Sequence, residues 1–149
     1  MRRIVLAAAL VAAATDAAFA DGAAVFDANC AFCHQAGGVG VPGQFPRLAG
    51  RAGAIAAKPA GKAFLPKVVL NGISGRITVD GEQILGIMPA VDSLSDEDIA
   101  AVLTYITGLD HKPVVFTAAE IKAARAQPKI SPTDLAAQHG VLAAKKIIP

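Results

Sequence analysis

Cysteine is scarce in this chain. Cys30 and Cys33 are the two present in 149 residues, so no second cysteine pair exists to complete a structural zinc site of four close-spaced ligands. Excess charge is lacking as well: the formal net charge is +2. Removing Arg2, Arg3 and Asp16 with residues 1–20 leaves 12 Lys and Arg against 11 Asp and Glu, a net +1. Such a balance marks out no class of partner and gives no reason to expect nucleic acid. Long apolar runs are missing after Ala20. The 54% hydrophobic content and the mean hydropathy of +0.49 come from the first 20 residues and from alanine-rich segments, so no transmembrane segment is expected beyond them. Methionine is rare too, with Met88 the one that follows Met1.

Residues 1–20 read as a secretory signal peptide. Arg2 and Arg3 form a charged start, Ile4 to Ala14 an apolar stretch, and Ala18-Phe19-Ala20 a small-residue cleavage site. The apolar stretch falls short of the ~20 residues a bilayer-spanning helix needs, and Asp16 interrupts it, which argues against an uncleaved anchor. The chain is therefore expected to be exported to a periplasm and cleaved after Ala20. The remainder is one domain's worth, read as a domain over 21–109 and a tail over 110–149.

The informative motif is Cys30-Ala31-Phe32-Cys33-His34. A C-x-x-C-H run is the attachment signature of c-type haem: two thiols three positions apart add to the two vinyl groups, and the adjacent His lies beneath the iron. Other readings of C-x-x-C fit less well. A thioredoxin-like pair follows a strand, and nothing strand-like precedes Cys30. A plain disulfide leaves His34 unexplained. One covalent haem c is thus the expected cofactor, with Cys30 and Cys33 as attachment points and His34 as an iron ligand.

Around this motif the pattern is mostly helical. Gly22 to Asn29 reads as a short helix with Phe26 one turn before Cys30. The formal G-x-G-x-x-G at Gly38, Gly40 and Gly43 contains Pro42 and follows no strand, so it reads as a tight loop rather than a dinucleotide fingerprint. Pro42 and Pro46 are both within reach to offer a carbonyl to His34 Nδ1–H, and Arg47 is the best-placed cation for a haem propionate. A helix is expected over Lys62 to Leu70, ended by Asn71-Gly72. Alternation around Asp80-Gly81 predicts a short β-ribbon. Met88, in a Gly/Pro-bounded loop, is the expected second iron ligand, with His111, His139 or an open position as alternatives. Ser95 caps a helix whose inner face is Ile99, Val102, Leu103 and Ile106. Further helices open at Thr117-Ala118-Ala119-Glu120 and at Ser131-Pro132. The basic tail either wraps the domain or docks a partner. Charge is unevenly spread: Arg47, Arg51, Lys58, Lys62, Lys67 and Arg76 face only Asp80 and Glu82 between residues 41 and 87, whereas every charge from 90 to 110 is acidic.

With C-x-x-C-H near the mature start, Phe45-Pro46-x-Leu48-Ala49-Gly50, and Gly86-Ile87-Met88-Pro89-Ala90 ahead of Leu94-Ser95-Asp96-Glu97-Asp98-Ile99, the chain resembles class I monohaem cytochromes c from about Gly22 to Gly108. Its likeness is to bacterial periplasmic cytochromes that serve dehydrogenases and reductases. The resemblance implies a small all-α cytochrome c fold around one covalent haem, with the first and last core helices crossing near Phe26 and Tyr105. It also implies thioethers at Cys30 and Cys33 and axial ligation by His34 and Met88. The expected function is one-electron transfer with no substrate transformed, exchanging electrons with redox proteins such as a dehydrogenase, reductase or terminal oxidase. Alternatives are a dedicated subunit of a periplasmic dehydrogenase or reductase complex, and a haem sensor or peroxidase with an open sixth site.

Overall fold

A computed structural model describes residues 21–149; the leader assigned to residues 1–20 lies outside the described residues. In chain order the helices are α1 (Gly22–Asn29), α2 (Ala31–His34), α3 (Arg51–Ala56) and α4 (Pro59–Asn71), followed by strands β1 (Ile73–Val79) and β2 (Glu82–Met88). Helices α5 (Asp96–Gly108), α6 (Ala118–Arg125) and α7 (Pro132–Ala144) complete it. The architecture is the small helical domain with a two-stranded antiparallel ribbon that the sequence implies.

α1 and α5 form the frame. Asp21 caps α1 through Oδ1, accepting from Ala23 N at 3.0 Å, and Ser95 Oγ caps α5, accepting from Asp98 N at 3.0 Å. Three acidic residues, Asp96, Glu97 and Asp98, crowd the positive first turn of α5. Its predicted inner face, Ile99, Val102, Leu103 and Ile106, is buried throughout. The helices cross where Phe26 meets Tyr105, ring centroids 5.6 Å apart and inclined at 49°. Gly22 makes this approach possible, since a Cβ there would stand 2.3 Å from Ala101 O. Each large side chain sealed in this seam stabilises the fold by roughly 1.5–3 kcal/mol.

Three local features differ from the sequence reading. α4 begins at Pro59 rather than Lys62, because proline suits the first helical turn where no N–H partner is needed, and Pro66 is tolerated inside it. α3 was not anticipated; it is a six-residue helix in which one Gly and three Ala accompany Arg51 and Ile55, with Gly53 so near α5 that a Cβ would lie 2.6 Å from Thr107 O. Met88 ends β2, paired with Ile73, instead of lying in a loop. The strand stops there because Pro89 has no N–H to continue the ladder. The ribbon itself turns at Asp80 and Gly81, both left-handed (φ 53° and 84°), the conformation a tight hairpin demands.

Residues 110–149 pack on the domain as a strap. Thr107 Oγ1 donates to Thr104 O and accepts from Val114 N at 3.1 Å, while Thr104 Oγ1 accepts from Phe116 N at 2.9 Å. This lays the chain back along α5. Phe116 and Ile121 enter the same core cluster as Phe26 and Leu103. Leu135 and Ile148 form a second cluster with Ile55 and Phe64. An isolated two-stranded ribbon is marginal in water, and here α7 backs β1, Gly75 facing Ala136.

Candidate haem site

The motif occupies one turn of helix. His34 N donates to Cys30 O at 2.9 Å and Cys33 N to the same carbonyl at 3.2 Å, so both thiols and the imidazole belong to a single turn. No disulfide joins Cys30 and Cys33. Burial first, and then the neighbouring Cys33, push the Cys30 thiol above its ordinary pKa. A redox-active pair would need the opposite shift, toward the thiolate.

His34 is held for ligation. Its Nδ1 lies 2.9 Å from Pro46 O, and a carbonyl only accepts, so Nδ1 carries the proton and Nε2 keeps its lone pair. Burial lowers the imidazole pKa, partly offset by the bond to Pro46; the ring is neutral near pH 7, the form a metal takes. Of the two prolines in reach by sequence, Pro46 is the one that accepts. Glycines explain why. Gly38 O accepts from Leu48 N and Ala49 N, and Gly40 N donates to His34 O at 2.8 Å. With φ near 69° and an imagined Cβ 2.6 Å from Phe45 O and Arg47 N, Gly40 lets the loop close against Phe45–Arg47 and deliver the Pro46 carbonyl.

Met88 is held through its backbone. Gly72, at φ 75°, ends α4 so close that a Cβ would meet Met88 O at 2.6 Å and Ala90 N at 2.9 Å. One turn further on, Val91 N donates to Val69 O at 2.8 Å. The C-terminal end of α4 therefore holds the Met88–Val91 segment at both of its ends. The Met88 side chain is half-buried. Next to the candidate ligands, Phe32 is 92% and Ile87 76% exposed, apolar surface suited to covering by another group.

The rival histidines sit in different surroundings. His139 is buried over Phe64, ring centroids 6.3 Å apart, and burial, then the charge of Arg51, lower its pKa to about 4. The exposed His111 ring lies beside Gly53 and Gly50. Arg47 is not free either. Its Nε and Nη2 donate to the Asp80 carboxylate at 3.0 and 3.1 Å, and Nη1 donates to Ala49 O. The hydrogen bond from Arg47 holds the Asp80 carboxyl below its ordinary range. Buried Arg51 approaches the same carboxylate at 3.7 Å and also donates to Pro149 O, joining the hairpin turn to the chain's end. Sequence reasoning had no signal for these tertiary roles of Asp80, Arg51 and Gly72. Among the described residues no group of three His, Cys, Asp or Glu side chains converges on a point. The donor set at residues 30–34, a neutral imidazole next to two thiols on one turn, fits a covalently attached haem.

Comparison with known proteins agrees. The family model described as Cytochrome c matches residues 19–110. Two relatives described as cytochrome c-552, both from Thermus thermophilus, are each 43% identical to this chain over 132 residues. The matches cover 85% of this chain, and 99% and 88% of the respective relatives. That share is more than residues 1–110 can supply, so the likeness continues into the strap.

Proposed function

Because the chain belongs to the cytochrome c family, as a class I monohaem c-type cytochrome carrying covalent haem c, we propose that Cys30 and Cys33 form its thioethers and that His34 and Met88 are its axial ligands. The protein is an electron carrier, not an enzyme, and its partners are redox proteins. When bound, the haem iron supplies the one-electron step by cycling between ferric and ferrous states. The chain's own residues keep that step simple. Pro46 fixes the His34 tautomer and strengthens the imidazole as a donor, and Met88 as a thioether favours a relatively high potential. The observation that carries the ligation reading is the Nδ1–Pro46 bond at 2.9 Å, which leaves Nε2 to the metal. Arg47 is a weaker partner for a haem carboxylate than its sequence position implies, since Asp80 already takes two of its nitrogens.

We further place the mature protein in a bacterial periplasm, on the strength of the leader pattern in residues 1–20. Among the described residues no helix is long and apolar enough to cross a membrane. A free carrier is favoured over a dedicated subunit docked by a basic tail. In the strap, Arg125 and Lys129 pair with acidic residues of the same chain at 2.8 and 2.9 Å, which leaves less of the strap's charge for a partner.

One preparation tests the reading. The ferric protein is expected to show a weak long-wavelength sulfur-to-iron band that disappears in Met88→Ala, and its intact mass to correspond to a chain starting at Asp21 plus one haem. A wild-type spectrum without that band would remove Met88 as a ligand and open the sensor or peroxidase alternative. A mass starting at Met1 would remove the export reading alone.

A further inference from the structure

The segment that follows Met88, residues 89–95, has no helix or strand of its own. On one side the end of α4 holds it, through Gly72 and Val69. On the other side it is held by the strap. Arg125, in the last turn of α6, divides its guanidinium between it and the start of α5: Nη1 donates to Asp92 O at 2.7 Å, Nη2 to Leu94 O at 2.8 Å, and Nε to Asp96 Oδ1 at 2.8 Å. Lys129 Nζ, four residues on, reaches Asp92 Oδ2 at 2.9 Å and Leu70 O at 3.4 Å, bridging the segment to the C-terminal turn of α4. The fork is presented from a fixed base. Ile121 of α6 is fully buried in the main core, and Thr117 and Glu120 close a reciprocal cap at its start.

We propose that Arg125, assisted by Lys129, is a positioning residue for Met88: from the C-terminal strap it pins the 92–96 segment and so sets how rarely the thioether leaves the iron. The proposal rests on the reading of Met88 as an axial ligand. Its physical content is a population. Departure of the thioether is easier when the 89–95 segment moves with it, and two hydrogen bonds from the Arg125 guanidinium to that segment, with a third to Asp96 at the start of α5, oppose that movement. Lysine cannot reproduce the fork, because an ammonium is a point charge without the fixed donor plane. A competing ligand binds only the fraction of molecules in which Met88 has left, so its apparent affinity reports that fraction directly.

The test is a titration of ferric holoprotein with imidazole at fixed pH, following the sulfur-to-iron band, for wild type, Arg125→Gln, Arg125→Lys, Lys129→Ala and Lys62→Ala. Lys62→Ala is the control: it removes the 2.6 Å strap-to-domain pair with Glu120, away from the Met88 segment. Arg125→Gln is expected to bind imidazole about tenfold more tightly than wild type, equivalent to about 1.4 kcal/mol in the opening equilibrium. Arg125→Lys should recover only part of that change, Lys129→Ala should shift it about threefold, and Lys62→Ala should stay within twofold of wild type. The proposal is overturned if the band is present in all proteins and Arg125→Gln and Lys129→Ala both titrate like wild type. It is overturned equally if Lys62→Ala shifts as far as Arg125→Gln, since general loosening of the strap would then be the cause. Should Arg125→Gln fail to accumulate, Lys129→Ala and Arg125→Lys decide the matter by the same criteria. Absence of the band from wild type is a different failure, that of the Met88 assignment itself.

Discussion

Gly72 is worth more than its lack of a side chain suggests. Its φ of 75° places it where an L-residue with a Cβ is strained by roughly 1–2 kcal/mol, and the Met88 carbonyl lies 2.6 Å from where that Cβ would be. Gly72→Ala must therefore either distort the end of α4 or push Met88 away. We expect a loss of about 2–4 kcal/mol, seen as a fall in Tm on the order of 10 °C, together with a weakened sulfur-to-iron band. An unchanged melting curve with an unchanged band would show that the Met88 segment is not held from α4. Side-chain chemistry and its partners separate at this scale. Cys30, Cys33, His34 and Met88 could be put forward from residue type and spacing, because the attachment and ligation proposed for them demand those types. Pro46 could only be paired with Pro42 as a candidate. What selects Pro46 is the backbone path through Gly38 and Gly40, and φ angles are not written in a run of glycines.

Among the elements, the crossing of α1 and α5 carries the main core, and Phe26 is its centre, wholly buried and tilted against Tyr105. Phe26→Ala leaves a cavity that two helices joined at Gly22 and Ala101 cannot close by sliding, so a cost of about 3–5 kcal/mol is expected. Urea denaturation followed by far-ultraviolet circular dichroism would show it as a lower midpoint at similar slope; a shift under about 1 kcal/mol would mean that the crossing is not the seat of stability. Elements with a strong period or a cap were legible beforehand. α5 announced itself by Ser95 and by apolar residues stepping three and four, α6 by Thr117 and Glu120, and the ribbon by Asp80-Gly81. α3 was not, because six residues such as Arg51-Ala52-Gly53-Ala54-Ile55-Ala56 give no readable stripe, and Gly53 signals a breaker in sequence where in space it permits contact with α5. The extent of β2 was misjudged for a related reason: Gly86 and Pro89 look like loop boundaries, yet glycine opposite Gly75 continues the ladder and proline merely ends it.

For the molecule as a whole, charge that is segregated along the chain is paired in space. Arg47 and Arg51 meet Asp80, Lys62 meets Glu120, Arg125 meets Asp96 and Lys129 meets Asp92. Folding the basic strap over the acidic 90–110 stretch pairs Asp92 and Asp96 and so offsets part of the asymmetry that the sequence suggests. Being largely exposed, most of these pairs contribute little individually, and above the carboxylate range the pH dependence of stability falls to groups outside them. Buried His139 has its pKa lowered to about 4, by burial first and by the charge of Arg51 second. In the unfolded chain an imidazole takes up its proton near pH 6.5. Between about pH 6.5 and 4 the unfolded state therefore binds more protons than the folded one, and stability must fall as pH drops through that window. The depressed carboxyls of Asp80, Asp92 and Glu120, each held down first by a hydrogen bond from its basic partner, act in the same direction but lower. Their contribution is present above the ordinary carboxylate range and is lost as pH falls through their folded values. His139→Leu separates the two effects. Urea unfolding of holoprotein at pH 7, 5.5 and 4 should show the wild type losing stability across the series and the variant losing distinctly less, with both declining below pH 4. Anything the haem site contributes is common to the two proteins and cancels in the difference, so parallel curves from pH 7 to 4 would mean that His139 is protonated in the folded molecule.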